Sequence, residues 1–151
     1  MSKLYNESSY ENSLIELFKN DLEYEYVCGF DVERDFYNPL YEEVLIDSLY
    51  RLNKNLPEIA IQEALYKIKN FENGELIEKN NIFMDYLQNG ITVKFFIDGE
   101  EQCSIVYLVD YKNINNNSFI IANQWTFIEN SERRPDIKYN FIFKWFASCV
   151  S

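Results

Sequence analysis

An aspartate directly after a proline, Pro135-Asp136, stands at the head of a β-rich run from Ile137 to Phe146, and Arg133 and Arg134 stand immediately before it. A carboxylate at the mouth of a buried strand suits a hard divalent cation, and two guanidiniums at the same turn suit a phosphate. Against this, Asp after Pro at a strand start is ordinary turn chemistry, and two arginines equally describe a solvated turn. These residues alone leave both readings open. The run before the turn, Ser118 to Phe127, alternates poorly and is rich in β-formers, as a strand buried on both faces is. Asn116 to Ile137 is therefore strand, charged turn and strand, with Asp136 opening the second.

Composition narrows the chemistry. The 151 residues are 47% hydrophobic and 17% aromatic, enough for one packed domain. Fourteen basic residues against 25 acidic ones give a net charge of −11. That balance argues against tight DNA binding by the chain alone and suits a module carried to DNA by a larger protein. It equally suits an acidic protein with no nucleic-acid role. There is no histidine, which excludes a His-based triad and effectively a zinc site. Cys28, Cys103 and Cys149 are odd in number and lack metal-ligand spacing, so they read as reduced thiols. No apolar run reaches transmembrane length and the start MSKLYNESS has no signal-peptide core, so the expectation is a cytoplasmic protein with no membrane partner.

The elements that must position these residues follow from spacing. Ser8 and Glu11 have the form of a capping box, opening a helix whose apolar positions are Leu14, Leu17, Phe18 and Leu22. Glu23 to Gly29 reads as a short strand, with Tyr24, Tyr26 and Cys28 on one face. Asn38-Pro39 predicts a helix start, with Glu42 and Glu43 in the first turn and Leu40, Val44, Leu45, Leu49 and Leu52 inward. Pro57 restarts a helix carrying Ile61, Ala64, Leu65 and Ile68, with its exit at Gly74. A further helix runs from about Glu75 to Gln88 and stops at Asn89-Gly90. From Ile91 the period changes to two: Ile91 to Ile97, a turn at Asp98-Gly99-Glu100-Glu101 with the Asp-Gly pair as the hairpin signal, then a strand from Gln102 to Asp110. Asp110 reads as a turn acid before the loop from Tyr111 to Asn117. The amides of Asn123 and Gln124 lie in a buried-looking strand and need partners.

The wording of the chain is more specific than its periodicity. Val109-Asp110-Tyr111-Lys112-Asn113, Asn117-Ser118-Phe119, Asn123-Gln124-Trp125-Thr126 and Arg133-Arg134-Pro135-Asp136-Ile137 follow in that order. This series resembles the N-terminal nuclease domain of the restriction (R) subunit of type I restriction–modification enzymes, over about Tyr10 to Ile137. The resemblance implies an α/β fold of the PD-(D/E)xK restriction-endonuclease type. That fold has a mixed sheet and a helical insertion, here at 38–90, with nuclease-core strands at 91–137 and the C-terminal part of the core missing. It implies Mg²⁺-dependent cleavage of unmodified DNA, modification and specificity subunits as partners, and an ATP-driven motor in the full subunit. No phosphate-loop motif for ATP occurs in this chain.

By the same resemblance Asp136 is the first catalytic and metal-binding acid, and Glu11 is the helix glutamate that leans into the metal site. Arg133 and Arg134 would contact DNA, while Asn123, Gln124 and Asp110 would brace the site. The family's second strand carries E-x-K, yet no Asp or Glu follows Asp136 here. Residues 138–151 are thus a non-family tail, whose Phe141, Phe143, Trp145 and Phe146 have no evident partner and leave a strand edge bare. The chain alone is expected to be inactive. Two rival readings are a catalytically dead interaction module of a restriction complex and an acidic DNA mimic. Dispersal of the acids among core-forming helices disfavours the mimic.

A frameshift near Ile137–Lys138 is the expected account of the tail, with a genuinely divergent tail as the alternative. Read from the second base, Lys144 as AAA, Trp145, Phe146 as TTT, Ala147 as GCC, Ser148 as TCT and Cys149 as TGT spell N-G-L-P-L-V, the turn the family carries before E-x-K. Sequencing the locus is expected to show the second-base frame open past Asp136 and encoding E-x-K. A stop codon in that frame, or no E-x-K, overturns this account.

Overall fold

The computed structural model describes residues 7–38, 40–71, 74–125 and 142–144. The chain forms two compact units, one of Met1–Tyr41 with Ser118–Ser151 and one of Glu42–Asn117. Most of the helical insertion expected at 38–90, and the first of the strands expected from 91, fall in the second unit.

In the first unit, helix α1 (Glu7–Glu16) runs into a π-helical turn, Leu17–Asp21, and then strand β1 (Glu25–Cys28). The helix already includes Glu7 and Ser8, so the cap read at Ser8 lies inside it. The inward residues differ in part from expectation: Phe18 is buried as expected and Ile15 is buried with it, whereas Leu17 and Leu22 are exposed. The wider π turn explains this, because its bonds close over five residues, as Leu22 N–H to Leu17 C=O at 3.3 Å does, and rotate later side chains off the helical stripe.

Strand β4 (Ile120–Asn123) is central in this unit's sheet. It pairs in parallel with β1, Glu25 opposite Ile120 and Cys28 opposite Asn123. On its other side it pairs antiparallel with β5 (Ile142–Lys144), Ile120 opposite Lys144. β5 lies within the run from Ile137 to Phe146 expected to be β-rich, and this part of the tail, expected to lack a partner, pairs with β4. Backbone pairing asks only for available N–H and C=O groups, so a non-family sequence can meet it.

Ile120, Ile121 and Ala122 are buried in succession, the burial on both faces expected of this run. One face carries Ile121 against Ile15 and Phe18, with Tyr24 and Tyr26 packed alongside. The other carries Ala122 against Trp125, Val32 and Tyr41. The Arg34 guanidinium lies 4.1 Å from the centre of the Trp125 ring, a stacked cation on an indole that is only 2% exposed.

The second unit holds helices α2 (Glu42–Leu52), α3 (Glu58–Lys69) and α4 (Leu76–Asn89), then a hairpin of β2 (Ile91–Ile97) and β3 (Glu100–Val106). Helix α2 starts at Glu42, and ahead of it Asn38 Oδ1 accepts from Leu40 N–H at 3.0 Å. Helix α3 ends at Lys69, before Gly74. Asp98 and Gly99, at φ 52° and 82°, form the two-residue turn that puts Ile97 opposite Glu100. Left-handed backbone at both positions matches the twist of the strands.

A two-stranded ribbon is marginal alone. This one buries Ile91, Val93, Phe95 and Val106 in the same core as Ile61, Ala64, Leu65 and Ile68 of α3, at about 1.5–3 kcal/mol per large aliphatic side chain. Asn53 ties the end of α2 to the end of the hairpin. Its Nδ2 donates to Leu49 C=O and Tyr107 C=O, and its Oδ1 accepts from Tyr107 N–H, each at 2.8 Å.

Gly29 follows β1, and a Cβ there would lie 2.4 Å from the carbonyl oxygen of Gln124 and 2.9 Å from Trp125 Cα. The obstacle is main chain, which cannot rotate aside. Gly29→Ala is expected to destabilise the fold by about 1–3 kcal/mol, measured by urea unfolding; an unchanged midpoint would refute this contact.

Candidate active site

The carboxyl ends of β1 and β4 lie side by side, which is where open α/β sheets present functional groups. Four polar side chains meet there. Asn123, the last residue of β4, donates from Nδ2 to Glu11 Oε1 of α1 at 2.9 Å. Its Oδ1 accepts from the Tyr26 hydroxyl at 2.8 Å. Lys19, from the π turn, holds its ammonium 5.2 Å from the centre of the Tyr26 ring. Glu11 is thus engaged by a strand amide 112 positions away.

Register and pleat produce this meeting. Cys28 is opposite Asn123, so Tyr26, two residues earlier, faces the same side as Asn123 and Ile121. That is the side on which Ile15 and Phe18 pack against Ile121. Burial pushes the Tyr26 phenol above its ordinary value, with the Cys28 thiol and the Glu11 carboxylate adding to the rise. The phenol is therefore a neutral donor at physiological pH.

Of the residues singled out from sequence, the structure brings Glu11 and Asn123 together. Gln124 follows at φ 55°, a left-handed conformation that turns the chain sharply out of β4. Asp110 belongs to the second unit, where its carboxylate closes the 111–117 loop. Oδ1 accepts from Asn113 N–H at 2.8 Å and Lys112 N–H at 3.0 Å, and Oδ2 accepts from Asn116 Nδ2 at 2.8 Å. Asn117 completes the clasp by accepting from Asp110 N–H and donating to Asp110 C=O. Arg133, Arg134 and Asp136 lie outside the described residues. Tyr26 and Lys19 were not singled out, and the one available signal was the alternation that set Tyr26 and Cys28 on a common face.

Whether Mg²⁺ fits can be asked of the donor set. Among the described residues no three His, Cys, Asp or Glu side chains group closely enough to hold a metal ion. Glu11 stands at the strand ends with one oxygen bonded to Asn123. A hard cation needs more oxygen ligands than that, so the described residues do not by themselves make a metal site.

The chain belongs to the family described as "Type I restriction enzyme R protein N terminus", which matches residues 4–139. It is 31% identical over 146 residues to the putative type I restriction enzyme MjaIXP endonuclease subunit of Methanocaldococcus jannaschii, covering 90% of this chain and 14% of that protein. It is 30% identical over 105 residues to the type I restriction enzyme HindI endonuclease subunit of Haemophilus influenzae, covering 68% of this chain and 10% of that one. The chain thus spans a small fraction of the length of these relatives. No solved structure matches it. Among the described residues no helix is long and apolar enough to cross a membrane.

The Asn113 N–H bond, then the Asn116 amide, and finally the Lys112 N–H and charge hold the Asp110 carboxyl below the usual range. A depressed folded value means that the stabilisation is present above the unfolded value, about 3.9, and is lost as pH falls through the folded one. By NMR, Asp110 is expected to titrate below free aspartate, with the Lys112 and Asn113 amide shifts following that same step. Asp110→Ala should abolish their movement; a carboxyl titrating at or above the ordinary value would contradict the clasp.

Proposed function

We propose that this chain is nuclease-domain sequence of a type I R subunit, of PD-(D/E)xK type, with Asp136 and Glu11 as the acids that face a divalent metal. The observation that carries the reading is the Glu11–Asn123 hydrogen bond. It sets a carboxylate at the end of the very strand whose sequence continues toward Pro135-Asp136. In the full enzyme, Mg²⁺ would neutralise charge on the scissile phosphate and acidify a water. Asp136 and Glu11 would supply carboxylate oxygens, Asn123 would hold Glu11 in place, and Arg133 and Arg134 would bind phosphate oxygens. Unmodified DNA is the substrate, and modification and specificity subunits are the partners. ATP is used elsewhere in the larger subunit, and the setting is the cytoplasm.

Taken by itself, the 151-residue chain has no acid after Asp136 and no E-x-K lysine. The ion would then be held too weakly to sit firmly against a phosphate, and the group that positions the water is missing. That same observation favours one further reading, an inactive module that docks within a restriction complex. Co-purification with modification and specificity subunits tests that reading. Purified chain incubated with supercoiled plasmid and Mg²⁺ is expected to leave the plasmid intact. Nicking that disappears in Asp136→Ala would overturn the expected inactivity and mean that another acid completes the site.

A further inference from the structure

The second unit holds a cavity of about 300 Å³ beside the loop that Asp110 closes. That volume is at the small end of sites for small molecules, with room for one ring system and its substituents. Leu52, from the end of α2, and Val109 supply aliphatic surface. Tyr107 and Tyr111 line it too, and both stay open to solvent, at 51% and 64% exposure. Both are nonetheless held in place. The Tyr111 hydroxyl donates to Leu87 C=O at 3.0 Å, which ties its ring to the end of α4. Asn53 bonds both main-chain groups of Tyr107, and Gly90 leaves room for its ring, since a Cβ there would lie 3.3 Å from Tyr107 Cδ1. Rings that are set before a ligand arrives cost little to order on binding.

Polar residues narrow what can enter. Gln88, Asp110 and Lys112 complete the lining. One acid beside one base leaves no net charge to favour a lone phosphate, and one carboxylate is too few oxygens for a hard cation. The Gln88 amide offers a donor and an acceptor side by side. Among the described residues Asp110 Oδ2 accepts from Asn116 Nδ2 alone, so it has room for one more hydrogen. A purely hydrocarbon ring would leave these groups facing carbon. A planar heterocycle satisfies the tyrosines with its face and the amide and carboxylate with its edge.

We propose that this cavity takes a single unpaired nucleobase, stacked on tyrosine and held at its edge by Gln88 and Asp110. Its source is a free nucleotide or an unstacked position of single-stranded DNA, which present the same chemistry. The proposal concerns the second unit alone and does not rest on the nuclease reading.

The isotopically labelled full chain of 151 residues provides the test, titrated by NMR with thymidine, deoxyadenosine, oligothymidylate and benzene. Both nucleosides are expected to bind at millimolar concentration and to move the Gln88 side-chain amide and the main-chain amides of Tyr107, Tyr111 and Lys112. Tyr111→Ala should weaken that binding about tenfold, the scale of one lost base–aromatic stack. Gln88→Ala, at an exposed helical position, should weaken it about fivefold, and it carries the test if the tyrosine variant does not fold. Oligothymidylate binding at these residues at least as tightly as thymidine supports the proposal with a single strand as the source. Movement by the nucleosides but not by oligothymidylate supports it with a free nucleotide as the source. No movement by either nucleoside overturns it, as does movement that survives both substitutions. Benzene shifting the same signals at the same concentration overturns it as well, because the polar edge would then select nothing.

Discussion

Parallel pairing of Glu25–Cys28 with Ile120–Asn123 is the constraint on which the site depends. The side-chain period of a strand is two, so a slip of one residue would turn Asn123 to the face where Ala122 meets Trp125. The amide would then be among aromatic and aliphatic groups, with Glu11 and Tyr26 on the opposite side of the sheet. Hydrophobic contacts enforce the register: Ile121 needs Ile15 and Phe18, and Ala122 is small enough to admit Trp125 on the other face. The polar contacts at the strand end are therefore set by apolar ones within the strand.

Where the paired strands end, the two chains stay close. Gly29 N–H donates to Asn123 C=O at 2.8 Å, and the absence of a Cβ lets the Gln124 carbonyl approach. Gln124 takes a left-handed conformation with a side chain that does not favour it, at a cost of about 1–2 kcal/mol. Strain of this kind persists where surrounding contacts over-determine it. Here it is bounded by the β1–β4 pairing before it and by buried Trp125 after it.

Local chemistry was largely legible. The 3.6-residue spacing of Leu45 and Leu49, and of Ile61, Ala64, Leu65 and Ile68, identified their helices and buried faces, and Asp98-Gly99 marked the hairpin turn. The unbroken apolar run at Ile120–Ala122 announced burial on both faces. Three kinds of information were not available from spacing. Nothing in Leu17–Asp21 marks a π turn, so the inward stripe of the first helix was assigned to the wrong leucines. The Ser8–Glu11 spacing imitates a cap, whereas the Glu11 partner is an amide on a distant strand. The run from Ile137 to Phe146 was legible as β-rich, but the pairing of Ile142–Lys144 with Ile120–Ala122 was not, since main-chain pairing leaves no signature in side chains. Family resemblance, in turn, pointed to Glu11 and Asn123 but not to Tyr26.

The unit formed by Glu42–Asn117 is inserted between the two strands that must pair, and this sets a timetable for the ribosome. Tyr26 and the Asn123 amide it will bond are 97 positions apart. At ordinary elongation rates the first strand waits about 5–20 s for the second to be made. During that interval the Ile15–Phe18 face has no Ile121 to cover it. The inserted unit has mostly local contacts of its own and can collapse first, which replaces a long floppy crossover with a compact one and lowers the entropy cost of closing it. Chaperone demand on the nascent chain should therefore centre on the Ile15–Phe18 face and β1, which are made before β4 and covered only when it arrives.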